Sequence, residues 1–119
     1  MTIKSDFFAK SKRETKTVQF FGMDLTLRKL TRSELTKIEK WMRPKGVLDE
    51  QRFDQHELKL IQQSVVDADG KLVFDDEDLD KLGEMPGAEM SELEYEVMVL
   101  NGMIKPKEAK ADVLGESNV

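Results

Sequence analysis

The chain of 119 residues has no cysteine, and it holds a single histidine, a single tryptophan and a single tyrosine. Without thiols there is no disulfide framework, no thiolate metal site and no cysteine nucleophile, and nothing marks an oxidising compartment. No apolar run approaches the roughly 20 residues that a membrane helix requires. The N-terminal stretch MTIKSDFFAKSKRETK is basic but lacks the apolar core of a signal peptide. A cytoplasmic protein, neither secreted nor membrane-spanning, is the expectation. Glycine-rich phosphate loops, a nucleophile elbow and a spaced metal cluster are also missing. His56 lies on a polar stretch between Gln55 and Glu57. A general base needs a positioned partner and a nucleophile, and neither can be identified, so His56 reads as a surface side chain. No catalytic residue, cofactor or metal is expected, and the chain is not read as an enzyme.

What is present is charge and a moderate apolar content. Apolar residues make up 39% and charged residues 36% of the chain, a composition that supports one globular unit of this length with loose ends. The charge is divided unevenly. Met1 to Gly46 carries 12 Lys and Arg against 5 Asp and Glu, about +7, and the remainder carries 7 against 19, about −12. Ordinary solvated faces can produce such a split, but it can also bring molecules together head to tail or steer a polar partner. The basic arm raises nucleic acid as a partner. The acidic majority opposes it, and no aromatics interleave with the lysines to form a stacking platform, so nucleic acid is not the expected partner.

Three stretches follow from this reading: a mobile basic arm over 1–15, a globular domain over 16–103 and a polar, mobile tail over 104–119. In TKTVQFFGMDLTLRKLT, Val18 and Phe20 alternate with polar residues, as do Leu25 and Leu27. The pattern predicts a hairpin that turns over Gly22, Met23 and Asp24. Thr31 followed by Glu34 forms a capping box, which starts a helix near Arg32. Leu35, Ile38 and Met42 share one stripe of that helix with Trp41 beside it, and Arg43-Pro44-Lys45-Gly46 ends the run. A second helix is expected from about Glu50 to Ser64, and a last one from about Ala88 to Asn101 with Met90, Leu93, Val97 and Leu100 inward. Asn101-Gly102 reads as its end.

Between these helices, Val65 to Glu84 (VVDADGKLVFDDEDLDKLGE) carries eight acids and resembles a calcium loop at first sight. The register argues otherwise. With Gly70 at position 6, Val65 would occupy position 1, where an oxygen ligand is needed, and Asp76 would replace the bidentate Glu at position 12. A turn over Asp67 to Gly70 between two short strands, Val65-Val66 and Leu72 to Phe74, uses every residue. Asp75 or Asp76 then caps a short helix, Glu77 to Leu82, with Leu79 and Leu82 inward. The expected fold is α+β, mainly α-helical with about four helices and two small β-hairpins around one core.

In its order the chain resembles the tail assembly chaperones of long-tailed bacteriophages and prophages, over about Lys16 to Met103. The residues that carry the resemblance are the hairpin leading into LRKLTRSELTKIEKW, the helix running into SVVDADGKLVF, the DDEDLDKLGEM segment and the final helix closing in LNGM. The resemblance implies a non-catalytic cytoplasmic protein, absent from the mature virion, that binds and solubilises the tape measure protein while tail tube subunits polymerise. It also implies self-association, and in many relatives a frameshifted longer form that recruits the tail tube protein. Trp41, Met98, Met103 and Ile104 are the candidate partner-binding residues. The alternatives are a minor tail protein retained in the virion and a small nucleic-acid-associated regulator using Lys4, Lys10, Lys12, Arg13 and Lys16.

Overall fold

The computed structural model of the chain describes residues 2–106. Its elements run α1 (Ile3–Lys10), β1 (Thr15–Phe20), β2 (Met23–Arg28), α2 (Arg32–Met42), α3 (Glu50–Asp54), α4 (His56–Ser64), β3 (Val65–Val66), α5 (Leu79–Gly83) and α6 (Gly87–Leu100), with a 3-10 turn at Asp76–Asp78 entering α5. The architecture is α+β and mainly helical. Among the described residues six helices stand where about four are expected.

The hairpin forms as the alternation predicts, with Phe20 opposite Met23 and Thr15 opposite Arg28. Its loop is tighter than expected. Only Phe21 and Gly22 turn the chain, both at positive φ (53° and 75°), the geometry of a two-residue hairpin that follows the twist of the strands. Met23 and Asp24 therefore belong to β2 rather than to the turn. The second hairpin is reduced. Val66 meets Leu72 in a single bridge, and Val65-Val66 instead pair with Thr26 and Leu27 to extend the first sheet in the order β1-β2-β3.

Helix α2 begins at the expected capping box: the Thr31 hydroxyl accepts from the Glu34 N–H, and Glu34 Oε1 accepts from the Thr31 N–H at 2.8 Å. The helix expected from Glu50 to Ser64 is broken at Gln55, whose backbone leaves helical geometry (φ −97°, ψ 7°). Its first part, α3, packs on α2, while α4 packs on α6. The arm, which shows no period in the sequence, holds α1. Thr2 and Ser5 form its capping box, and none of its residues is buried.

The core lies where α4, α6 and α2 meet the sheet. Leu27, Ile61, Val65 and Val97 are buried almost completely, with Phe20, Leu30, Ile38, Leu60, Leu93 and Leu100 around them. Burial of such aliphatic side chains, at roughly 1.5–3 kcal/mol each, is the main force that holds the helices to the sheet. Among the described residues no helix is long and apolar enough to cross a membrane.

Candidate functional site

Three of the four residues singled out from the sequence come together at the exit of α6. Gly102, at φ 71°, closes the helix. The Met103 N–H donates to the Met98 carbonyl (2.9 Å) and the Gly102 N–H to the Val99 carbonyl (3.0 Å). This pair of bonds is a Schellman closure, in which the residue after the glycine returns toward the last turn. Met98 is half-buried, whereas Met103 and Ile104 are exposed. Asn101, which the sequence shows only as a helix end, fastens this exit: its side-chain oxygen accepts from the Leu30 N–H at 2.8 Å while its amide donates to the Val97 carbonyl at 2.8 Å. The exit therefore sits beside the start of α2.

Trp41 lies elsewhere. It occupies the last turn of α2, about 15 Å along the axis from the Thr31 end. Its ring is engaged within the molecule, with the Lys59 ammonium 5.0 Å and the Arg52 guanidinium 5.5 Å from its centroid. Arg52 also donates to the Trp41 carbonyl (2.9 Å), and buried Lys59 donates to Asp76 (2.5 Å). This cation–π arrangement joins α2, α3, α4 and the 3-10 turn. Trp41 is thus part of an internal clamp, and it does not share a patch with Met98, Met103 and Ile104.

The acidic stretch is engaged in backbone geometry. Asp67 accepts from the Asp69 and Lys71 N–H groups (2.8 and 3.0 Å), with Gly70 at φ 79° in the turn. Asp75 accepts from the Glu77 N–H and Asp78 accepts from the Asp75 N–H, a capping box that opens the 3-10 turn. Among the described residues no group of three or more His, Asp or Glu could hold a metal ion. The His56 ring stacks on Phe53 with 5.1 Å between centroids, and its Nδ1 meets the Phe53 carbonyl at 2.6 Å.

Other apolar groups are exposed: Phe7 and Phe8 stand out in the sequence as a candidate anchor of the arm, whereas no pattern marks Phe21 and Met23. Phe21 and Met23 project at the hairpin tip, 51% and 60% exposed. Phe7 and Phe8 stand edge to face on α1 with 5.6 Å between ring centroids, and both are exposed. Of the five basic residues named for the nucleic-acid alternative, two are already paired: Arg13 with Glu34 at 3.1 Å and Lys16 with Glu96 at 2.6 Å.

No protein-family model matches the chain, and neither does any curated protein. Among solved structures, that of the bacteriophage HK97 tail assembly chaperone aligns with 83% of this chain and 98% of its own, with a TM-score of 0.54 at 18% sequence identity. The architecture built from these residues is therefore similar to the fold of a phage tail assembly chaperone.

Proposed function

We propose that the chain is a tail assembly chaperone of a long-tailed phage or prophage, a non-catalytic protein that binds the tape measure protein and keeps it soluble during tail assembly. The observation that carries this reading is the fold likeness to the HK97 chaperone, which extends over nearly the whole of that protein. Surface chemistry supports it. Such a chaperone must grip apolar stripes of a helical client weakly and repeatedly while charge keeps the complex dissolved. Met103 and Ile104 at the α6 exit, with Met98 beneath them, offer an adaptable apolar contact. Here the protein acts in the host cytoplasm and leaves before the virion is complete. A tail tube protein would be reached through a longer, frameshifted form.

The regulator reading loses ground, because ion pairs with Glu34 and Glu96 already engage Arg13 and Lys16. A co-expression pull-down with a phage tape measure protein tests the proposal. The client is expected in the soluble fraction and in the eluate. Substituting Met103 and Ile104 with serine is expected to reduce its recovery several-fold. A client that stays insoluble beside this protein would sink the assignment.

A further inference from the structure

The sheet has an open edge at β1. Among the described residues β1 pairs only with β2, and its other side is a row of backbone groups with no strand beside them. The register shows which residues make up that row. The Lys29 N–H donates to the Glu14 carbonyl at 2.8 Å, which makes these two a hydrogen-bonded pair. In an antiparallel ladder such pairs recur at every second residue, here Lys16 with Leu27, Val18 with Leu25 and Phe20 with Met23. The N–H and C=O groups of Thr15, Thr17 and Gln19 therefore point away from β2. All three residues are exposed, and among the described residues none of these backbone groups has a hydrogen-bond partner. Helix α6 packs beneath the opposite side chains: Lys16 meets Glu96 at 2.6 Å, and Phe20 joins the core cluster with Val97.

Folded proteins shield such an edge with proline, a bulge, a very short strand or a free charge. β1 has none of these. Its six residues, TKTVQF, contain no proline, and its pairing with β2 runs from Thr15 to Phe20 without a bulge. Its one charged side chain, Lys16, is engaged by Glu96. Thr15, Thr17 and Gln19 are neutral, and threonine suits a strand. Charge stands at one end, where Lys10 and Lys12 precede the strand and are exposed.

We propose that the outward edge of β1 is a strand-addition site: it takes an extended segment of a partner protein that bonds to the backbone of Thr15, Thr17 and Gln19 and is acidic where it meets Lys10 and Lys12. The acidic end follows from charge complementarity. Main-chain hydrogen bonds give such a contact its affinity, and alternate side chains give it selectivity. A helical segment cannot occupy the edge, because its own backbone groups are already bonded to one another. The site is thus distinct from the α6 exit and does not rest on the helical client, so this inference can fail while the proposed function stands.

The probe is a synthetic peptide of alternating threonine and valine with two glutamates at one end. It is added to the purified full chain, and amide hydrogen exchange is followed by NMR. In the free chain the Thr15, Thr17 and Gln19 amides are expected to exchange fast, while those of Lys16 and Val18 are protected by β2. Binding is expected to saturate below about 1 mM and to slow the three outward amides about tenfold or more. A Thr17→Pro variant removes one outward N–H and no bond to β2. It is expected to keep Val18 protected and to lose about tenfold in peptide affinity. Outward amides that are already protected in the free chain would show the edge covered by the chain itself or by a second copy, which overturns the inference. So does a peptide that fails to bind, that binds without slowing these amides, or that binds Thr17→Pro as tightly as wild type. Equal binding by a peptide with lysines in place of its glutamates overturns it as well.

Discussion

Phe21 holds a left-handed backbone, φ 53°, that its side chain does not favour. A bulky residue there costs about 1–2 kcal/mol, and with half its surface exposed the ring returns little of this through burial. Phe21→Asn creates the Asn-Gly pair that two-residue hairpins prefer. It is expected to stabilise the protein by roughly 1 kcal/mol in urea titration; an unchanged midpoint would show that the ring repays its strain. Ile61, 1% exposed, is the opposite case: Ile61→Ala should cost about 2–5 kcal/mol, the spread reflecting how far the cavity collapses. Core positions such as Leu93, Val97 and Leu100 were legible because helical spacing marks them. Lys59 and Gln62 were not. Both are buried, yet their polar ends reach Asp76 and the Phe74 carbonyl, and no pattern of residue types announces which long polar chain will find such a partner.

Most elements fixed by local chemistry were readable in advance, α1 excepted; the pairing fixed by distant contacts was not. The α2 capping box is local, and Thr31→Ala is expected to cost about 1 kcal/mol. A thermal melt indistinguishable from wild type would count against it. The pairing of Val65-Val66 with β2 joins residues nearly forty positions apart, so their short apolar run could equally have paired with Leu72 to Phe74 alone. Helix α1 was missed because its cap, Thr2 with Ser5, lies outside the usual acidic pattern and its apolar residues bury nothing. The seam between α4 and α6 carries a pH dependence. Burial, then a shared hydrogen bond with Glu57 and its charge, push the Glu94 carboxyl up to about 7, against the pull of His56. Since the fold holds this proton more tightly than the unfolded chain does, the contribution is complete below 4.5, the ordinary value, and is lost as pH rises through about 7. Glu94→Gln should flatten the decline in melting temperature over that window. Glu34 has the opposite sign. Burial raises its pKa, but the Thr31 hydrogen bond together with Arg28 and Arg13 outweighs that and lowers it. Its contribution is therefore lost as pH falls below 4.5 through the lowered value.

At the scale of the whole molecule, the order of hairpin, capped helix, acidic turn and closing helix was legible, and it gives the fold shared with the HK97 protein. The candidate surface was legible only in part. Met98, Met103 and Ile104 converge because a Schellman closure brings the chain back on α6, a local event that Asn101-Gly102 signals. The separation of Trp41 from them depends on how α2 lies against α6, which only the packed core determines.

The most direct test of the chaperone account is light scattering as a phage tape measure protein is diluted from denaturant, with and without this protein. The account predicts that scattering falls in proportion to added protein, reaches a minimum at a fixed molar ratio and returns when Met103 and Ile104 are changed to serine. Scattering that is the same with this protein as with an unrelated acidic protein of equal size would contradict it.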